Sequence, residues 1–148
     1  MGSRIEELTK GLEADPENVE LIIELASHYG EENRILEAVD LLNQAIDIDP
    51  ENATAYYDLG VCYLKVLKSD LEVSEMWEDK ADDEEFFELA IVAFQRTIEI
   101  DTEFVEAYNN LGTLYALRGW NDQAREQWEF SLRIDPAQEK VRENLASL

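Results

Sequence analysis

Apolar residues recur along the chain with the spacing of helix stripes. Ile22, Leu25, Ala26 and Tyr29 follow the i, i+3, i+4, i+7 pattern of one helix face. A second stripe begins a short turn later and consists of Ile35, Ala38, Val39, Leu42 and Ile46. The pattern therefore predicts two helices, near 19–31 and 34–48, that face each other.

The same spacing returns further along the chain. Residues 19–52 and 105–138 form two units of 34 residues each. A middle unit, 53–104, is 52 residues long and carries 18 extra residues at about 69–86. Residues 4–18 match the second half of a unit, and residues 139–148 begin another. Three full repeats between two half-repeats predict a single domain over residues 1–148, in which each repeat buries its apolar face against the next.

Small residues recur at a fixed place in each unit, and Asp-Pro pairs recur at three of the boundaries between units. Ala26, Gly60 and Gly112 fall where the two helices of a pair would approach most closely. Asp15-Pro16, Asp49-Pro50 and Asp135-Pro136 separate successive units. We interpret the aspartate as a helix N-cap and the proline as the first helical residue.

The repeated pattern resembles the tetratricopeptide repeat family. The residues that carry the resemblance are Leu59-Gly60, Leu111-Gly112, Tyr29, Tyr63 and Tyr115, followed by Ala38, Ala90 and Ala124. Ala26 in place of Gly and Thr102 in place of Pro depart from it. The resemblance implies an all-α fold: an α-solenoid of three antiparallel helix pairs in a right-handed superhelical stack. Capping helices are expected at both ends, with a helical insertion in the second repeat.

Charge narrows the possible partners. The chain has 12 Lys and Arg residues against 35 Asp and Glu, a formal net charge of −23. Residues 1–64 hold 15 acids and 3 bases, net −12, whereas residues 105–148 hold 7 and 5, net −2. Such a field repels phosphate backbones and anionic headgroups, so we expect no nucleic acid partner.

Cellular location is predicted from two further observations. No apolar run reaches the ~20 residues that span a bilayer, and residues 1–5 contain no apolar signal core. The single cysteine, Cys62, cannot close an internal disulfide, which fits a reducing compartment. We expect a cytoplasmic protein without direct membrane insertion.

Catalytic patterns are missing from the sequence. There is no glycine-rich phosphate loop and no nucleophile elbow, and one histidine with one cysteine cannot form a usual zinc site. The acidic run at 79–85 has no glycine at the sixth position of an EF-hand loop. We therefore expect no enzymatic activity, no metal and no cofactor.

The resemblance also implies a concave groove, lined by the stripe of each first helix that the core leaves free. Apolar side chains would contact a ligand, asparagines would hold a peptide backbone, and acids would line one end. The predicted groove residues are Glu20, Ile23, Glu24, Ser27, Tyr57, Asp58, Val61, Leu64, Glu106, Asn109, Asn110 and Thr113.

One activity of the resembled family can be tested by position. Members that grip the C-terminal carboxylate of heat-shock chaperones use Lys, Asn and Arg at five groove positions. The corresponding residues here are Ile23, Ser27, Asp58, Glu106 and Asn110. Because no cation remains and acids occupy two places, an anionic peptide end would be repelled.

The extra residues of the second repeat contain neither glycine nor proline. Their apolar spacing predicts an extended helical hairpin, with helices near 53–75 and 84–100. We expect its surface to include Met76, Trp77, Phe86 and Phe87.

The function expected from these features is non-catalytic protein–protein interaction. The chain would act as an adaptor or scaffold that binds a basic or amphipathic peptide segment in the groove. Two alternatives stay open: a structural scaffold that associates with copies of itself, and a repeat module, engineered or excised from a longer protein, without a ligand of its own.

Overall fold

The computed structural model describes residues 3–68 and 82–148, and every regular element in these ranges is an α-helix. The helices are α1 (Arg4–Ala14), α2 (Val19–Glu31), α3 (Ile35–Ile48), α4 (Ala53–Lys68), α5 (Asp82–Ile100), α6 (Val105–Leu117), α7 (Asn121–Ile134) and α8 (Glu139–Ala146).

Within the described residues, each predicted repeat contributes one helix pair. α2 packs on α3, α4 on α5 and α6 on α7, and each pair also contacts the next through α3–α4 and α5–α6. α1 packs on α2 at one end of the stack, and α8 packs on α7 at the other. This arrangement confirms the predicted all-α solenoid, in which each repeat is stabilised by its neighbours.

Two glycines let the helices of a pair approach closely. A Cβ at Gly60 would lie 2.7 Å from the Phe94 ring of α5, and one at Gly112 would overlap the Trp128 indole of α7. Phe94 and Trp128 are 0% and 4% exposed, so neither ring can move aside without disturbing the core. The predicted role of Gly60 and Gly112 is therefore confirmed.

The N-caps differ from the sequence prediction. α2 begins after Asn18, whose side chain accepts a hydrogen bond from the Leu21 amide at 3.2 Å, and Asn52 accepts one from Ala55 at 3.0 Å before α4. The aspartate of each Asp-Pro pair instead ends the preceding helix, so its assignment as an N-cap was wrong. The proline follows inside the interhelical turn, where its fixed φ is compatible with the chain path.

Left-handed residues end two of the three first helices. Asn33 has φ 61° after α2, and Gly119 has φ 72° after α6. In both turns the next amide bonds back five residues, Arg34 to Tyr29 at 2.8 Å and Trp120 to Tyr115 at 2.9 Å, which is the Schellman pattern. The equivalent residue of the second repeat is Leu67, which lies within α4.

The residues predicted to form the insertion surface divide into two groups. Met76 and Trp77 lie outside the described residues. Phe86 and Phe87 are 8% and 2% exposed and belong to the main core, because α5 already begins at Asp82 and carries them into the stack. Their assignment to a surface was wrong.

Candidate functional site

The first helices of the three pairs share one face. α2 contacts α4, and α4 contacts α6. Lys65 Nζ of α4 donates to the Gly30 carbonyl of α2 at 3.1 Å. Asn110 Nδ2 of α6 donates to the Tyr57 hydroxyl of α4 at 3.2 Å. We call the face formed by α2, α4 and α6 the inner face; every predicted groove residue lies on one of these helices.

Exposure separates the predicted groove residues. Glu20, Ser27 and Glu106 are exposed. Leu64 is only 5% exposed and joins the main core, so it offers little surface to a ligand. The remaining members are half-buried: Ile23, Glu24, Tyr57, Asp58, Val61, Asn109, Asn110 and Thr113.

Tyr57 is held rigidly at the centre of the inner face. Its ring centroid lies 4.8 Å from that of Phe104 and 5.8 Å from that of Phe94. Burial raises the pKa of the Tyr57 phenol, although the hydrogen bond from Asn110 opposes the shift. The ring thus packs against two aromatic rings, and its hydroxyl accepts a hydrogen bond from an amide.

Asp58 has no hydrogen bond or ion pair among the described residues. Burial raises the pKa of its carboxyl to about 6 from 3.8, while the charge of Lys65 opposes the shift. Lys65 lies seven residues further along α4, about two turns away, and donates to Gly30 instead. The Asp58 carboxylate is therefore half-buried without a paired cation.

The other acids of the inner face differ in their partners. Glu24 accepts two hydrogen bonds from Arg4 of α1, from Nε at 2.9 Å and Nη2 at 2.7 Å. In the described part of the structure neither Glu20 nor Glu106 has an ion pair, and the charge of Glu106 contributes to the raised pKa of Tyr57. Negative charge is consequently unbalanced around Tyr57.

Asn109 serves the packing of the C-terminal helices. Its Nδ2 donates to Gln138 Oε1 at 2.6 Å, and its Oδ1 accepts from Ser131. Its backbone carbonyl also accepts hydrogen bonds from Trp128 and Thr113. The amide predicted to hold a peptide backbone is thus engaged within the protein.

The inner face shows no arrangement for metal or thiol chemistry within residues 3–68 and 82–148. No group of three potential metal ligands occurs there. Cys62 is 5% exposed, and burial raises the pKa of its thiol to about 11, which opposes formation of the reactive thiolate. In the same part of the chain, no helix has the length and apolar character needed to cross a membrane.

Sequence reasoning missed two side chains that shape this face. Arg4 pairs with Glu24 across 20 residues, and Gln138 bonds Asn109 across 29, so no local spacing indicates either contact.

Comparison with known proteins identifies the family to which the repeats are similar. Residues 26–66 match the family described as TPR repeat, and residues 93–126 match tetratricopeptide repeat. Protein IFIT1 homolog B of Homo sapiens is 25% identical over 124 residues, which cover 81% of this chain and 26% of that protein. The chain thus spans about a quarter of this curated relative.

Solved structures agree with this assignment. The crystal structure of MamA is 28% identical with a TM-score of 0.75, covering 95% of this chain and 72% of that one. The first TPR of Spaghetti (RPAP3), bound to the HSP90 peptide SRMEEVD, has a TM-score of 0.72 at 16% identity, covering 87% and 88% of the two chains.

Stacked helix pairs with a shared inner face define this molecule as a helical-repeat solenoid. With the two matched segments and the neighbouring folds, the chain is a tetratricopeptide repeat protein. Proteins of this family are generally non-catalytic protein–protein interaction modules.

Proposed function

We propose that this protein binds a basic or amphipathic peptide segment of a protein partner along the inner face. The observation that carries the proposal is the half-buried Asp58 carboxylate, which has no paired cation, beside the fixed ring of Tyr57. A ligand cation would supply the missing charge, and an apolar ligand side chain would cover the exposed part of the ring.

Electrostatics supports a basic ligand in two ways. Glu20, Asp58 and Glu106 lie on the helices of the inner face and have no ion pair among the described residues. Residues 1–64 add a long-range field of net charge −12. Distributed charge of this kind accelerates the encounter, whereas the desolvated centre slows dissociation.

The ligand proposed for this chain differs in charge from the peptide bound by the Spaghetti domain. Its bound peptide, SRMEEVD, has acidic residues at three of its last four positions. This chain has Asp58 and Glu106 at two of the positions where carboxylate-gripping relatives place polar or cationic side chains. An acidic peptide end would meet like charge here, and a basic segment would meet opposite charge.

The test is an array of synthetic amphipathic peptides in which each lysine-bearing sequence is paired with its glutamate counterpart. We expect binding by the lysine members, reduced for Tyr57→Ala through faster dissociation. Because the screening length falls to ~3 Å at 1 M salt, added salt should mainly slow association. Preferred binding of the glutamate members, or binding unchanged in a variant with Tyr57, Asp58 and Asn110 all replaced, would contradict the proposal.

Self-association is a second candidate, favoured by exposed apolar side chains. Val92 is 61% exposed and Leu117 is 56% exposed. Sedimentation at low and high salt separates the two candidates. A chain that stays monomeric at both salt concentrations does not assemble through these residues, whereas salt-induced association would show that its charge normally opposes assembly.

A further inference from the structure

We infer that Asp58 is the residue that selects one lysine or arginine at a fixed position of the bound peptide. The inference rests on the proposed function and adds a specific recognition position to it. It follows from comparing the residues that occupy equivalent positions in the three repeats of this chain.

The three repeats place one polar residue each at the same position of the inner face. These equivalent residues are Glu24 in α2, Asp58 in α4 and Asn110 in α6. Glu24 is paired with Arg4, and Asn110 bonds to Tyr57. Asp58 alone of the three has no polar partner among the described residues. Because the positions are equivalent, Glu24 and Asn110 are matched references for Asp58.

Burial makes the unpaired Asp58 carboxylate selective for a cationic ligand group over a neutral one. An ionised carboxylate has about four acceptor sites, and Asp58 uses none of them within the described chain. Part of its hydration is already lost, so a neutral ligand group cannot compensate its charge as a cation can. Lysine and arginine offer donors with positive charge, and arginine can donate two parallel hydrogen bonds.

Neighbouring charges confine the ligand cation to one side of Asp58. Lys65 lies further along α4 and repels a cation from the side toward Gly30. Glu106 lies close enough to Tyr57 for its charge to act on the phenol, so negative charge continues toward α6. The favoured cation position therefore lies on the Tyr57 side of Asp58.

The experiment measures residue preference at each position of the peptide array for wild type, Asp58→Asn and Asp58→Lys. A charge-assisted hydrogen bond is worth about 10- to 100-fold in affinity. We expect wild type to prefer Lys or Arg over Gln by about this factor at one position. Asp58→Asn should lose that preference, and Asp58→Lys should prefer Glu at the same position.

Glu20→Lys is the matched control, because Glu20 is an exposed acid on the same face. It should weaken all basic peptides similarly and leave the positional preference intact. Circular dichroism verifies the fold of each variant, and Asp58→Asn keeps the size of the side chain if Asp58→Lys does not fold.

The outcomes distinguish two failures. If no peptide binds in a Tyr57-dependent manner, the proposed function itself fails. If binding depends on Tyr57 but the positional preference persists in Asp58→Asn and Asp58→Lys, only the assignment of Asp58 is wrong.

Discussion

At the residue scale, Asp58 links ligand recognition to stability. A carboxylate that is half-buried without a cation destabilises the folded state when it is ionised. In the proposed complex, relief of its unpaired charge is one source of affinity. Its stability cost can be measured without knowing the ligand.

Replacing Asp58 with Asn should stabilise the protein at neutral pH. The pKa of Asp58 is raised from 3.8 to about 6. Below pH 4 its carboxyl is protonated and does not destabilise the folded state, and this advantage is lost as pH rises through about 6 and the carboxyl ionises. The difference in unfolding free energy between Asp58→Asn and wild type should therefore increase by about 1–3 kcal/mol from pH 4 to pH 8.

Urea unfolding at both pH values measures this difference. The contributions of all other titrating groups to the unfolding free energy are the same in the two proteins and cancel. Ser27→Ala, a non-titrating change on the same face, is the control and should differ from wild type by a constant amount. A pH-independent difference for Asp58→Asn would show that its carboxyl is not perturbed in the folded state.

Cys62 should be almost inert toward thiol reagents in the folded protein. It is 5% exposed and its pKa is raised to about 11, so both access and thiolate fraction are low. We expect modification at pH 8 only as the repeat opens, and rapid modification in urea. Equal rates in native buffer and urea would contradict the observed burial.

The contacts of individual side chains were the features that the sequence predicted least well. The family spacing placed every predicted groove residue on α2, α4 or α6, although Leu64 is buried in the core. Spacing did not show that Asn109 is engaged by Ser131 and Gln138, nor that Arg4 pairs with Glu24, because these contacts depend on how distant helices meet.

At the element scale, close helix approach and helix ends were predictable to different degrees. The small residues of each pair are identifiable because a repeat places them at equal spacing. The ends of helices depend on local geometry instead. Asn33 and Gly119 adopt the left-handed conformation that ends α2 and α6, whereas Leu67, which is less suited to it, lies within a longer α4.

Alanine at Gly60 or Gly112 should destabilise the corresponding helix pair. The added methyl would overlap Phe94 or Trp128, and overpacking of this kind costs about 1–3 kcal/mol. Alanine favours the helix by about 1 kcal/mol, which offsets only part of the cost. Thermal and urea unfolding of the two variants measure the net change.

Gly30→Ala is the matched control for these substitutions. Gly30 also lies in a first helix and is buried, but an added Cβ would meet only Lys65 Nζ, at an ordinary 3.7 Å. Helix propensity should then dominate and stabilise the protein by up to about 1 kcal/mol. Similar effects for all three glycines would show that close approach does not decide their roles.

At the scale of the whole molecule, the repeat pattern made the fold predictable. Three units with the same spacing fix the helix pairs, and a solenoid follows because each pair must cover the next. Ligand choice is not repeated in this way. In the proposed complex it depends on residues that differ between equivalent positions, such as Glu24, Asp58 and Asn110, and on which of them has a partner within the protein.

The uneven charge of the chain should make its stability respond unequally to salt. Residues 1–64 carry net −12 and residues 105–148 carry net −2, so self-repulsion is concentrated in the first repeats. Raising the salt concentration from 0.1 M to 1 M shortens the screening length from about 10 Å to about 3 Å. Amide hydrogen exchange should slow more in α2, α3 and α4 than in α6, α7 and α8.

Mass spectrometry of peptic fragments resolves the two regions in one sample, which makes the second an internal control for the first. A general effect of salt on burial would protect both regions alike, whereas relief of repulsion acts where the charge is. Equal protection would mean that ion pairs such as Arg4–Glu24 already neutralise the local field. Greater protection of α2 to α4 would show that the acidic surface is maintained against a folding cost, as expected for a surface that attracts a basic partner.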